Sequence, residues 1–274
     1  MTTETTAPAG RDRLGPLIIT IFGLYARGEH NWLSVASVVQ LMADLGFEGA
    51  AVRSSISRLK RRGVVRAERR DGAGYALSES TLETLAEGDT RIFERRRATV
   101  ADGWLVVVFS VPESEREKRH ALRTSLTQLG FGTAAPGVWV APGNLAVETR
   151  RTLERRGLAE YVDIFAGEHF AFEDLRSKVR AWWDLDELTD LYADFLRRHR
   201  PVAEAGVSSV RQAFQDYVPM LTAWRRLPYS DPGLPLSLLP PGWNGVTAEA
   251  LFEELNGTLS APAREHALAV IHGR

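Results

Sequence analysis

The chain has 274 residues, of which 44% are hydrophobic and 25% are charged, as in an ordinary folded protein. It contains no cysteine, which excludes disulfide bonds and cysteine-ligated metal sites. At about 100 to 200 residues per domain, this length predicts two or three domains. No apolar run approaches the roughly 18 residues of a membrane span, and the first residues lack the apolar segment of a signal peptide. We therefore expect a cytoplasmic protein that does not associate with membranes.

The net charge of −1 conceals one strongly basic segment. Residues 49–75 carry eight basic and two acidic side chains, whereas the whole chain has 34 basic and 35 acidic ones. A nearly neutral protein with one basic stretch presents a single face to a polyanion, which is typical of a local contact with nucleic acid.

Residues 14–80 predict three helices followed by a hairpin. An apolar helix spans Leu14 to Ala26, Ser34 is a suitable N-cap for a second helix, and a basic third helix runs from Gly49 to Gly63. Two short strands around a glycine-rich tip at residues 71–74 form the hairpin. This order is that of a winged helix-turn-helix, whose third helix enters the major groove of DNA.

The third helix has an apolar stripe of Val52, Ile56 and Leu59, and its opposite face carries no acid. Small, hydroxylic and basic side chains suit close approach to base edges and phosphates. We predict that helix and hairpin contact double-stranded DNA through Arg53, Ser54, Ser57, Arg58, Lys60, Arg61, Arg66, Arg69 and Arg70. The alternative is a structural or protein-docking domain with a solvated basic surface.

The middle of the chain predicts a second domain. Residues 81–99 form a connecting helix in this interpretation. Residues 100–172 follow the order β-α-β-β-α-β, which is that of a ferredoxin-like fold. The overall class is therefore α+β, with an N-terminal winged helix-turn-helix and a central ferredoxin-like domain.

Residues 173–274 predict a helical C-terminal domain. Asp184 caps one helix, and another contains Pro219, where it kinks or restarts. A proline-rich loop follows, and then a helix from Ala248 to about Leu259 and a last short helix.

Four segments carry a family resemblance that extends from about Leu14 to Leu255. They are AAVRSSISRLKRRGVVRAERRDGAGYALS, FERRRATVADGWLVVVFSVPESEREKRHALRTSLTQLGFGTAAPGVWVAP, WDLDELTDLYADFLRRH and DPGLPLSLLPPGWNG. These segments resemble the phenylacetate-catabolism repressor family, the PaaX-type regulators. The resemblance implies a winged helix, a middle domain similar to a small CRISPR-adaptation nuclease, and a helical C-terminal domain. It also implies a homodimeric repressor that an aryl-acyl-CoA thioester such as phenylacetyl-CoA releases from its DNA operator.

An effector of this kind needs an apolar cleft for the aryl group and guanidinium groups for the phosphates. The C-terminal domain offers tryptophans and arginines for this role, namely Arg176, Arg180, Trp182, Trp183, Trp224 and Arg225. The alternative is that the tryptophans fill the core of a helical domain.

The middle domain also raises the hypothesis of a metal-dependent nuclease. Such an enzyme needs a carboxylate at the end of the first strand to hold Mg²⁺. Here Asp102 lies before the predicted first strand, residues 104–111, and the first acid after this strand is Glu113. The chain also lacks the phosphate-binding, dinucleotide-binding and hydrolase motifs. We therefore predict no catalytic residue, no metal and no resident cofactor. A scaffold for a protein complex remains a further alternative.

Overall fold

The computed structural model describes residues 11–169, 172 and 174–273. The helices are α1 (Arg11–Ile21), α2 (Val35–Asp44), α3 (Gly49–Arg61), α4 (Glu79–Phe93), α5 (Arg116–Gln128), α6 (Ala146–Arg155), α7 (Leu175–Trp182), α8 (Leu185–Ala205), α9 (Val210–Trp224), α10 (Leu227–Ser230) and α11 (Asn244–Ile271). The strands are β1 (Trp32–Ser34), β2 (Val65–Arg69), β3 (Ala73–Leu77), β4 (Trp104–Phe109), β5 (Gly132–Ala135), β6 (Val138–Pro142) and β7 (Val162–Gly167). Within this part of the chain, no helix is both long and apolar enough to cross a membrane.

The strands form two antiparallel sheets. The first has three strands in the order β1-β3-β2, and the second has four in the order β5-β6-β4-β7. Helices and antiparallel sheets in one chain confirm the predicted α+β class.

The chain divides into two compact units. The first contains the described residues up to Thr90, together with Arg198–Trp224 and those from Ala250 onward, and the second contains Arg91–Arg197 and Arg225–Glu249. The stretch predicted as one C-terminal domain, 173–274, thus contributes to both units. The predicted boundaries at 80 and 99 stay predictions. The boundary at 172 adjoins residues 170, 171 and 173, which lie outside the described part.

The first unit combines α1 to α4 and the three-stranded sheet with helices from the end of the chain. A single π-helical turn, Phe22–Ala26, continues α1. Helix α2 begins after Ser34, whose hydroxyl accepts a hydrogen bond from the backbone N–H of Ser37 at 2.9 Å, and this confirms the predicted cap. Helices α9 and α11 belong to the same core, because the ring of Trp224 on α9 stacks on that of Phe252 on α11 at 4.4 Å.

Two parts of the first unit differ from the sequence-based expectation. Strand β1 was not predicted, because three residues are too few to show a period and depend on pairing with β3. Two C-terminal helices were predicted, and this was wrong, since α11 is continuous through Gly257 and Pro262. Burial of Leu255, Leu259 and Ala263 at a spacing of four residues holds the helix together across these weak points.

The second unit is built on the four-stranded sheet. Leu105 and Val107 of β4 point into a core that also contains Leu126 of α5 and Trp139 of β6. A second cluster joins Leu122 of α5 to nearby apolar residues. Because successive side chains of a strand point to opposite faces of the sheet, Leu105 and Val107 lie on the same face of β4. Helices cover this face.

A buried ionic cluster ties distant segments of the second unit together. The Asp231 side chain is 1% exposed, and its carboxylate lies 2.8 Å from the Arg95 guanidinium and 3.7 Å from that of Arg97. The Tyr192 hydroxyl and the backbone N–H of Gly233 donate further hydrogen bonds to it. Burial alone raises the pKa of Asp231, but the charges of Arg95 and Arg97, together with hydrogen bonds from Arg95 and Tyr192, outweigh burial and hold the pKa at about 2.

We expect Asp231→Asn to lower the stability of the protein by about 3–5 kcal/mol, because it leaves Arg95 and Arg97 buried without their counter-charge. An unfolded aspartate has a pKa of about 3.9, so the folded value is depressed and the ionised form stabilises the fold. That stabilisation is complete above about pH 4 and is lost as the pH falls toward 2. Denaturant titrations across this range measure both effects. Asp163→Asn, at an exposed carboxylate of the same unit, is the control. Equal stability of Asp231→Asn and wild type would contradict the assignment.

Candidate nucleic-acid interface

Helix α3 has a buried and an exposed face. Val52, Ile56 and Leu59 are at most 2% exposed, which confirms the predicted apolar stripe. Ser55, at 1%, lies on the same side. The helix ends before Gly63, whose φ of +71° a residue with a Cβ rarely adopts. Burial of the stripe therefore fixes which residues of α3 face outward.

The outward face of α3 carries the predicted contact residues. Arg53, Ser54, Ser57, Lys60 and Arg61 are exposed, and Arg58 is half-buried. Arg58 donates a long hydrogen bond of 3.4 Å to the Ser54 hydroxyl, one helical turn earlier. The structure thus brings these side chains together on one helix, with hydroxyl and guanidinium donors at its surface.

The hairpin of β2 and β3 carries the other predicted residues. Arg66, Arg69 and Arg70 are exposed, with Arg66 and Arg69 at opposite ends of β2. Arg69 pairs with Ala73 across the hairpin, next to its tip. The hairpin therefore presents guanidinium groups along its length.

Glu68 occupies the centre of this arginine group. Its carboxylate lies 2.7 Å from Arg70 and 2.8 Å from Arg66. The hydrogen bond from Arg70 lowers the pKa of Glu68, and the charges of Arg66 and Arg70 lower it further, although burial acts in the opposite direction. Two predicted contact residues are therefore already engaged by one acid, while Arg69 forms no ion pair with the described residues.

Trp32 supports the hairpin close to its tip, and it was not predicted to belong to the site. Its indole N–H donates to the carbonyl of Glu68 at 2.9 Å, and the Arg70 guanidinium lies 5.6 Å from its ring centre. Arg70 also donates to the carbonyl of His30 at 3.2 Å. The signals available in the sequence were the aromatic residue Trp32 and the acid Glu68 within the basic segment. Arg70 is thus anchored at several points, unlike its neighbour Arg69.

The six predicted effector contacts do not all lie in one unit. Trp182 and Trp183 are neighbours in the second unit with ring centres 6.1 Å apart, whereas Trp224 lies in the first. Trp183 and Trp224 are buried, and the Trp183 N–H donates to the carbonyl of Gly130. These two tryptophans therefore serve as core residues.

The three arginines predicted for the effector have different surroundings within the second unit. Arg176 is exposed and donates to the carbonyl of Ser237 at 2.9 Å. Arg180 is exposed, and Arg225 is half-buried. Burial lowers the pKa of Arg225. Their role stays a prediction.

The acids considered for a metal site are engaged by other groups. Asp102 accepts hydrogen bonds from Thr99 and pairs with Arg96 at 2.7 Å. Glu113 pairs with Arg116 and Arg119. Within residues 11–169, 172 and 174–273, no three acidic or histidine side chains cluster as metal ligands would.

Three domain models of one protein family match successive parts of the chain. They are "PaaX-like protein" at residues 13–81, "PaaX protein central Cas2-like domain" at 97–179 and "PaaX-like protein C-terminal domain" at 183–269. The chain belongs to the PaaX family. This confirms the family resemblance inferred from the residues. Since PaaX proteins are regulators, membership supports the prediction that the chain is not an enzyme.

The chain is also similar to one curated protein of the PaaX family and, in its fold, to one solved structure. The transcriptional repressor PaaX of Escherichia coli (strain K12) is 29% identical in an alignment 251 residues long, which covers 86% of this chain and 77% of that protein. The solved structure of an uncharacterized protein from Mycobacterium tuberculosis superimposes with a TM-score of 0.59 and 23% identity. That superposition covers 93% of this chain and 99% of the other, and it shows a shared fold.

Close packing of Trp32 against the hairpin predicts contrasting effects of two glycine substitutions. A Cβ at Gly74 would lie 2.3 Å from the Trp32 ring and 2.6 Å from the carbonyl of Leu33, whereas nothing lies within 4 Å of one at Gly72. We expect Gly74→Ala to destabilise the protein by about 1–3 kcal/mol through overpacking. Gly72→Ala, two residues away on the same hairpin, is the control and should unfold as wild type does. Thermal denaturation followed by circular dichroism compares them, and equal midpoints would disprove the packing of Trp32.

Proposed function

We propose that the protein is a transcriptional repressor that binds an operator through α3 and the β2–β3 hairpin, in the manner of a winged helix-turn-helix. The observation that carries this proposal is the exposed basic face of α3, with hydroxyl and guanidinium donors and no acid. The relative from Escherichia coli is a transcriptional repressor by name, which supports the same function here. In this proposal α3 reads base edges, and the hairpin contacts the backbone.

The proposal includes a homodimer, because one recognition helix contacts few base pairs and two half-sites give selectivity. The second unit supports a homodimer with exposed apolar residues on the face of its sheet opposite Leu105 and Val107. The strand order of this sheet supports a ferredoxin-like domain. Val106 of β4 pairs with Phe165 of β7, so the two share that face with Val108. Phe165 is 59% exposed and Val108 is 38% exposed. Apolar side chains at this exposure favour contact with a second copy.

The proposed effector is an aryl-acyl-CoA such as phenylacetyl-CoA. Support comes from the family and from Trp182, which is half-buried beside Trp183 and has Arg180 two residues away on α7. An effector releases DNA only if it binds the DNA-incompetent state more tightly. A coupling of about 1–3 kcal/mol between the two ligands is typical of such regulators.

Substitutions in α3 and in the hairpin should act differently on operator binding. We expect Arg58→Ala or Arg61→Ala to weaken it by about 1–3 kcal/mol if the side chain reads a guanine. Arg69→Ala should instead remove a phosphate contact. The slope of log affinity against log salt concentration should then become shallower by about one, with little change in sequence preference. Fluorescence anisotropy at several salt concentrations measures both. Arg123→Ala, at an exposed arginine of α5, is the control. Wild-type binding by both α3 variants would show that α3 is not the recognition helix.

The decisive experiment titrates labelled DNA from the region upstream of the protein's own gene, with and without phenylacetyl-CoA. We expect tight binding that resists competitor DNA, a stoichiometry of two protomers per operator, and release by the thioester. Tight binding that phenylacetyl-CoA does not affect would support the repressor function but show that the effector is a different molecule. Weak binding that is equal on random DNA would overturn the proposal in favour of a scaffold.

A further inference from the structure

Helix α2 ends on a buried acid, Asp44, which is 6% exposed. A carboxylate at the C-terminus of a helix faces the negative end of the helix dipole, and a buried charge needs partners. Asp44 is therefore unfavourable where it lies unless other groups compensate for it. The compensating groups come from the end of the chain.

The Asp44 carboxylate is held by side chains of two C-terminal helices of the same unit. His266 of α11 lies with its Nε2 2.9 Å from one carboxylate oxygen, and the Arg211 guanidinium of α9 lies 2.8 Å from the other. Because an ionised carboxylate only accepts, the His266 Nε2–H donates. The side-chain amide of Gln215 donates to the backbone carbonyl of Asp44 at 2.6 Å. A helix-terminal carbonyl without an intrahelical partner is thereby satisfied.

Only four residues, 45–48, separate Asp44 from α3. Between them, Gly46 adopts a φ of +85°, and the backbone N–H of Phe47 donates to the carbonyl of Met42. The first residue of α3, Gly49, packs so closely on α2 that a Cβ there would lie 3.1 Å from the Val39 side chain. With so short and tightly packed a turn, anchoring the end of α2 also fixes the start of α3.

We propose that Asp44 is a positioning residue for DNA recognition. It fastens the end of α2 to α9 and α11 and thereby sets the angle at which α3 meets the major groove. This inference rests on the proposed function. It assigns residues 198–224 and 250–271 a role in operator recognition although the predicted DNA contacts all lie within residues 53–70.

The test compares Asp44→Asn with wild type on operator and on random DNA. An amide accepts only through its oxygen, so either Arg211 or His266 loses its acceptor. We expect operator affinity to fall by about tenfold, or about 1.4 kcal/mol, while affinity for random DNA and the salt slope stay unchanged. Amide exchange in residues 45–61 should become faster. All titrations are made well below the melting temperature, so that loss of folded protein does not contribute.

Asp216→Asn is the matched control, because Asp216 is a carboxylate of α9 that is hydrogen-bonded within its own helix by Gln212. It should bind both DNAs as wild type does. A second pair of variants covers the case in which Asp44→Asn fails to fold. His266→Ala should lose operator selectivity, and His266→Gln should retain it because the glutamine amide still donates to Asp44.

The outcomes separate the inference from the proposed function. Unchanged operator selectivity in a destabilised Asp44→Asn, or equal selectivity of His266→Ala and His266→Gln, would overturn the positioning role. Absence of operator selectivity in the wild-type protein would instead overturn the repressor itself.

Discussion

One face of helix α3 is buried in the core and the opposite face is exposed to solvent. The rest of the first unit depends on this separation of the two faces. Val52, Ile56 and Leu59 must be buried for the unit to fold, and burying them forces the basic side chains outward. Stability and the proposed recognition surface are therefore two results of one helical period. A rotation of α3 about its axis would bury arginines and expose the apolar stripe together, so the core itself orients the surface offered to DNA.

Two sets of arginines in the described residues have opposite electrostatic surroundings. Arg95 and Arg97 are buried beside Asp231, and Arg70 is anchored by Glu68 and its neighbours. Most arginines of α3 remain exposed, with no acid on their face. An arginine that is paired with an acid joins two segments of the chain, whereas an exposed arginine without such a partner is available to bind a phosphate. Charge counts along the sequence locate the basic region but do not separate these two roles.

The elements that follow a local period could be predicted from the sequence, as α2 and α3 show through the Ser34 cap and the stripe beginning at Val52. Elements that depend on distant partners could not. Strand β1 exists because β3 pairs with it, and α11 passes Gly257 because the core holds both of its halves. For the candidate site, the basic residues were visible in the sequence. Their supports were not, since the partners of Asp44 lie more than 160 residues away.

The order in which the first unit is assembled also has a consequence for synthesis of the chain. Its N-terminal helices emerge from the ribosome first, yet α9 and the part of α11 from Ala250 onward emerge only after Arg91–Arg197 of the second unit. Until then the side of α1 that α9 covers remains open to solvent or to chaperones. A nascent or prematurely terminated chain without these helices therefore lacks a finished first unit. The surface proposed to bind DNA is supported on all sides only after the ribosome has also synthesised the residues of the second unit that precede α11.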